Sequence, residues 1–285
     1  MFDVCVVGHV TRDIVRIGTR QMEMPGGTAY YASLAMKSLG MDVAVVTKVS
    51  EEDRGLLDRL HREGITVFSS ESPRTTTFVN TYPAGMERRE QRVAGTALPF
   101  TLRDVDDIPA RVFHLGPLTR RDIPLEVLAS LSARGTVSLD AQGFLREVGE
   151  AGESGGDVRL TDWPDKEAAL PLVHILKTDE DEARTLSQEQ DLRRMALKLS
   201  EYGPAEVIIT RGARGSLIYS QERFHTIPAF PPRSLVDPTG CGDTYMAGYL
   251  FMRRTADNPQ EIGEFAARTA TAKLEHSGPL APGNR

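Results

Sequence analysis

Short apolar runs rich in β-branched residues recur along the chain at residues 4–7, 42–48, 112–115, 137–139, 174–176 and 207–210. A run of this length without polar alternation suits a strand covered on both faces, and most of these runs follow amphipathic segments. Such alternation restricts the chain to an α/β fold whose sheet is largely parallel, with helices on both sides. Residues 29–39 and 51–63 carry helical spacing, and each closes on a glycine, Gly40 and Gly64, where a helix stops.

The pattern breaks at residues 75–95. The stretches 75–82 and 87–95 flank Pro83, Ala84, Gly85 and Met86 and read as a hairpin of half-exposed strands. A polar hairpin early in an α/β chain predicts a lid or an edge attachment. Residues 14–24 leave room for little or no extra sheet, so the expected lid is small, drawn from about 14–24 and 75–95. The Gly-rich stretch 149–156 reads as a surface loop inside one domain covering residues 1–285, and the Gly- and Pro-rich tail 277–285 as irregular.

A formal net charge of -6 argues against a nucleic-acid binder, and the Arg pairs at 88–89, 120–121 and 253–254 do not extend into a basic face. Two cysteines, Cys5 and Cys241, have no metal-ligand spacing and offer no disulfide framework. No stretch approaches a membrane span and no basic leader opens the chain, so the expected protein is cytoplasmic and starts near Met1. Monomer and homodimer both stay open.

Chemistry concentrates at residues 236–251, VDPTGCGDTYMAGYLF, where a turn with two glycines runs into a helix. Gly240 and Gly242 remove Cβ atoms where the chain turns most tightly. The backbone N–H groups of Gly240, Cys241, Gly242 and Asp243 would then converge at a helix start, which is an anion hole. Asp243 there is either an N-cap or a general base placed to take a proton from a hydroxyl attacking a phosphoryl group. A thiol at a helix N-terminus is expected to titrate low, which would make Cys241 sensitive to alkylation.

The segment T-G-C-G-D followed by Ala247 and Gly248 resembles the C-terminal signature of ribokinase-like (PfkB-type) carbohydrate kinases. That resemblance extends over nearly the whole chain. It implies a three-layer α/β/α sandwich with a mostly parallel central sheet and a small β lid, and phosphorylation of a sugar or polyol hydroxyl by ATP and Mg²⁺ with Asp243 as base. Cys241 stands where the family usually has alanine. Asp13, Gly26 and Gly27 resemble its substrate-side elements, and Tyr31 stands where asparagine is common. Lys177, Asp179 and Glu182 resemble its Asn-x-x-Glu element, which implies roles for Glu182 and Asp179 in ordering Mg²⁺ and phosphates. Thr210, Gly212 and Gly215 resemble the element that lies along the nucleotide phosphates, and Asp237 the residue that in some members supports a monovalent cation.

The segment from Asp140 with Gln142 is similar to the family's Asp-x-Asn element, and together with the hairpin it resembles inositol-kinase-like members. Asn80 and Arg92 on that hairpin are placed to reach a substrate. Other readings are less well supported: no G-x-G-x-x-G follows Val7 and no Walker motif occurs. A nucleoside kinase and a non-catalytic ligand-binding regulator on the same fold remain as alternatives.

Overall fold

The computed structural model describes residues 1–82, 90–149 and 156–280. In chain order the strands of the first half are β1 (Phe2–Val7), β2 (Thr11–Ile17), β3 (Arg20–Gly26), β4 (Val43–Val49), β5 (Thr66–Glu71), β6 (Thr77–Tyr82) and β7 (Glu90–Gly95). They are followed by β8 (Ala110–Leu115), β9 (Thr136–Asp140), β10 (Arg146–Val148) and β11 (Gly156–Leu160). The last are β12 (Ile175–Asp179), β13 (Glu206–Thr210), β14 (Ser216–Ser220) and β15 (Arg223–Ile227).

All six apolar runs lie in one sheet of order β15-β14-β13-β12-β9-β8-β1-β4-β5. From β13 to β5 every neighbouring pair is parallel, and β14 and β15 add an antiparallel edge. Alternation along β1 feeds both faces. Val4 and Val6 pack with the helices Thr28–Ser38, Cys241–Met252 and Pro259–Leu274. Cys5 and Val7 pack with Leu125–Ser132, Glu180–Ser187 and Leu192–Glu201 on the other side. These are the three layers expected from the sequence.

Strand order reverses between β1 and β8. From β1 the chain builds outward to β4 and β5, then returns to build β8, β9, β12 and β13 on the other side. At such a switch point the loops leaving the strand ends diverge and open a crevice at the carboxyl edge.

A second sheet of order β10-β11-β7-β6-β2-β3 forms the lid, with β2 and β6 parallel and the other pairs antiparallel. The expectation that residues 14–24 hold little or no sheet is corrected: β2 and β3 pair in full register from Thr11 opposite Gly26 to Ile17 opposite Arg20. Around the stretch read as a surface loop, β10 and β11 extend the same sheet. These strands are largely polar because much of the lid faces solvent, and among the described residues their apolar nucleus is Phe78, Val93 and Leu118, with Val148 and Val158 against it. The hairpin tip expected at 83–86, the centre of the 149–156 stretch and the tail beyond 280 lie outside the described residues.

Helical spacing at 51–63 gives a 3₁₀ segment, Glu51–Leu57, continued by the α-turn Asp58–Arg62. Gly40 and Gly64 both take positive φ where their helices stop. No helix among the described residues is long and apolar enough to cross a membrane.

Candidate functional site

The turn 236–240 delivers the helix Cys241–Met252 to the crevice, and Gly240 caps it at φ 73°. The Gly240 backbone lies so close to the Tyr31 ring that any Cβ would overlap Cγ and Cδ1. Tyr31, expected to read substrate hydroxyls, is thus buried as a support beneath the turn. Burial and the charges of Asp237, Asp13 and Asp243 push its phenol well above the usual range.

Not every N–H of the expected anion hole is free to serve it. The Cys241 N–H donates to Pro238 O at 3.2 Å, closing the turn. Gly242 and Asp243, in the first helical turn, have no intrahelical acceptor and remain as donors. The Cys241 thiol faces the following helix and donates to Ala270 O at 3.7 Å. Burial raises this thiol, which corrects the expectation of a low-titrating cysteine; the pull from Lys273 does not reverse it.

Asp243 is half-buried beside two other ionised groups that come from the ends of neighbouring strands. Asp140 ends β9 and Lys177 lies on β12, and the Lys177 ammonium donates to Asp140 Oδ2 at 2.8 Å. The ammonium also reaches the helix start, since a Cβ on Gly242 would sit 3.1 Å from Lys177 Nζ. Burial, followed by the like charge of Asp140, pushes the Asp243 carboxyl up to about 6. Lys177, a hydrogen bond with Thr28, and Arg146 act against that rise. Burial works against a charged Lys177, but Asp140, Glu182 and Asp243 outweigh it and hold the ammonium protonated.

Asp179 and Glu182 form a capping box at the start of the helix Glu180–Ser187. Asp179 Oδ1 accepts from the Glu182 N–H at 2.8 Å, and Glu182 Oε2 accepts from the Asp179 N–H at 2.7 Å. Burial, with Asp140 and Asp179 nearby, raises the Glu182 carboxyl against the pull of Lys177. Thr210 ends β13, and Gly212 and Gly215 turn with positive φ in the loop after it. Thr210, Gly212, Gly215, Cys241 and Gly242 line a cavity of about 590 Å³ whose other walls include Phe230, Pro231 and Ala267. Its lining is mainly apolar, and it reaches the helix start at Cys241 and Gly242.

On the lid, register defines which side chains share a face. Asp13 is opposite Phe78, Val15 opposite Asn80, Phe78 opposite Val93 and Asn80 opposite Gln91. Because Phe78 and Val93 pack on Leu118 after β8, that face is the one turned to the central sheet. Asp13, Asn80 and Gln91 therefore share the inner face, and Gln91 Nε2 donates to Asn80 Oδ1 at 2.9 Å. Arg92 is on the outer face and pairs with Asp157 at 3.2 Å, so it does not reach inward as expected. Gly26 is required because a Cβ would run into the Asp13 carboxylate, and Gly27, at φ 86°, because a Cβ would meet His9 O. Thr11 Oγ1 donates to Asp13 Oδ1 at 2.7 Å. Gln142 follows Asp140 and donates its N–H to Asp140 Oδ1 at 3.2 Å, which puts it at the rim between lid and sheet.

Sequence reasoning singled out the segment from Asp140 but gave a role there only to Gln142, and it missed the roles of Gln91 and Arg146. The guanidinium of Arg146 lies over the Phe78 ring at 5.7 Å on the inner face. Asp140 had a signal, an acid ending a buried strand; the other two had none apart from their strands.

A parallel sheet with its crevice at the switch point, a second sheet as a β lid, and a carboxylate beside an ammonium at a helix start fit a phosphotransferase of the ribokinase fold. Residues 134–284, more than half of the chain, match the pfkB family carbohydrate kinases, and the chain belongs to that family. It is a kinase acting on a small molecule. It is 26% identical over 258 residues, 88% of each chain, to a cytidine kinase of Thermococcus kodakarensis. Among solved structures, a sulfate complex of a pyrophosphate-dependent kinase of the ribokinase family superposes with a TM-score of 0.88 at 29% identity, covering 99% of this chain and 98% of that one. A pyrophosphate-dependent kinase of the same family complexed with a pyrophosphate analogue and myo-inositol gives 0.87 at 28% identity over the same shares.

Proposed function

We propose that this kinase transfers the γ-phosphoryl group of ATP to one hydroxyl of a small polyol of the inositol type, with Asp243 as the base. The observation that carries the reading is the Asp243 carboxylate, raised to about 6 and set beside Lys177 and the Gly242 N–H. The acceptor oxygen attacks the γ-phosphorus as its proton passes to Asp243. The bond from the γ-phosphorus to the β,γ-bridging oxygen breaks, and ADP leaves. Lys177 and the N–H groups of Gly242 and Asp243 offset the charge that develops on the transferring group.

The donor is the point on which the structural neighbours differ from this reading. Pyrophosphate needs only a polar phosphate site, whereas the cavity beside the anion hole is walled by Phe230, Pro231, Ala267 and Ala270, surface suited to an adenine ring. Among the described residues no group of three His, Cys, Asp or Glu side chains is arranged to hold a metal ion. Glu182 and Asp179, each with one oxygen in the capping box, fit a hydrated Mg²⁺ that arrives with the phosphates and would be held through water. Bound there, Mg²⁺ would neutralise phosphate charge.

For the acceptor, Asp13, Asn80 and Gln91 on one face offer hydroxyl partners in a row, and the neighbour that holds myo-inositol supports a cyclic polyol. Similarity to the cytidine kinase favours a nucleoside as the second reading. The test is phosphorylation of inositols, pentoses, hexoses and nucleosides with ATP or pyrophosphate, using Asp243→Asn as the blank. Turnover of a polyol with ATP, lowered roughly 10²-fold or more in Asp243→Asn with binding kept, is expected. Equal rates in the two proteins would refute Asp243 as base; turnover of nucleosides alone would transfer the assignment to the second reading.

A further inference from the structure

Lys273 lies in the last turn of the helix Pro259–Leu274 and has no exposed side-chain surface. Its Nζ donates to Asp237 O at 2.7 Å and to His276 O at 3.2 Å, and lies 3.1 Å from Asp237 Oδ2. The same carboxylate accepts from the Thr239 N–H at 2.9 Å and the Gly278 N–H at 3.0 Å. Val236 and Asp237 donate in turn to Leu274 O. Two chain segments, 236–239 and 276–278, are thus wrapped around one ammonium, three residues before Gly240.

A lysine at a helix end ordinarily extends into water, and enclosing its charge is unfavourable unless oxygens surround it. Two carbonyls and a carboxylate oxygen converging on one point are the type of ligand that a potassium or ammonium ion takes. Asp237 resembles the residue that in some family members supports a monovalent cation, but an added ion does not fit here, because Lys273 Nζ already stands among those oxygens.

We propose that Lys273 is a built-in monovalent cation: a positioning residue that fixes the 236–240 turn and so forms the anion hole without potassium from solution. The proposal rests on the kinase reading of that site. Its charge acts at this turn, since it is among the groups felt by the Cys241 thiol at the start of the helix that the turn delivers.

The test compares the protein with Lys273→Met in potassium, ammonium, methylammonium and tetramethylammonium chloride. For the unaltered protein, equal turnover in all four salts is expected, and a requirement for potassium would overturn the proposal whether or not the variant folds. For folded Lys273→Met, kcat in tetramethylammonium should drop roughly 10²-fold, as misplacement of a reacting geometry does, and recover in potassium or methylammonium. Full activity without a small cation, or a loss that no small cation recovers, would overturn it. Thermal unfolding supplies an arm free of catalysis: potassium should raise the melting temperature of Lys273→Met and leave that of the unaltered protein unchanged. If no acceptor is ever phosphorylated, the kinase assignment fails while this arm still decides the role of Lys273, and a potassium response equal in both proteins would sink it.

Discussion

The ring of Tyr31 fills the space that a side chain on Gly240 would need. The turn holding the anion hole and the first helix of the chain are therefore fitted to each other through one aromatic face. Gly240→Ala meets two obstacles, a positive φ and an occupied volume. The variant should lose most of its turnover and roughly 1–3 kcal/mol of stability, read by steady-state kinetics and by denaturant unfolding. Unchanged turnover would show that the turn tolerates displacement.

As the proposed base, Asp243 must be ionised to take a proton, so kcat/KM should rise with pH through about 6 and level off above it. Stability should move in the opposite direction. The carboxyl is raised from 3.8 to about 6, so the folded protein binds its proton more tightly than the unfolded chain and loses stability as pH climbs across that interval. Asp243→Asn removes this penalty at neutral pH. A gain of roughly 1–2 kcal/mol is expected, less than the full shift implies because the group is partly solvated, visible as a higher melting temperature in an inactive enzyme.

Lys177→Met should be more harmful to the fold than to acceptor binding. It leaves Asp140 buried without its partner at 2.8 Å, a loss of about 3–5 kcal/mol. Adding Asp140→Asn should restore part of that stability but not the turnover, which thermal unfolding and kinetics of the two variants would separate. A double variant as unstable as the single one would deny the pairing energetic weight.

Ala267→Phe narrows the apolar cavity from the helix side. With ATP, KM should increase roughly tenfold or more, since an adenine ring would lose contact surface worth over 1 kcal/mol. Any pyrophosphate-dependent rate should be untouched. An unaltered KM for ATP would mean that the cavity holds no base.

How well the sequence exposed these features depended on what covers each element. β1, β4, β8, β9, β12 and β13 are covered on both sides, so their apolar runs were legible, and the helix start at Gly240 and Asp243 was legible from its glycines. β2 and β3 were not, because Arg12, Asp13, Arg16, Arg20 and Glu23 interrupt any apolar pattern in a sheet that faces water. Cys241 was misjudged in its acidity because position at a helix start says nothing about packing against Ala270. Tyr31 and Lys273 carried no signal of their roles. An aromatic in an apolar helix reads as core, and a lysine on an amphipathic helix reads as surface, until the turn that each supports is seen in three dimensions.

The lid is sewn from three separate visits of the chain, at 11–26, 77–95 and 146–160, and its β2–β6 ladder joins strands some sixty residues apart. Pairings of such long sequence separation close slowly, after the local units that bring their ends together. The central sheet has a longer closure of its own, Val4 opposite Val112, so neither sheet is a purely local unit. The face that carries Asp13 and Asn80 is complete only when strands from all three visits have paired, so a lesion in any one of them is felt on that same face.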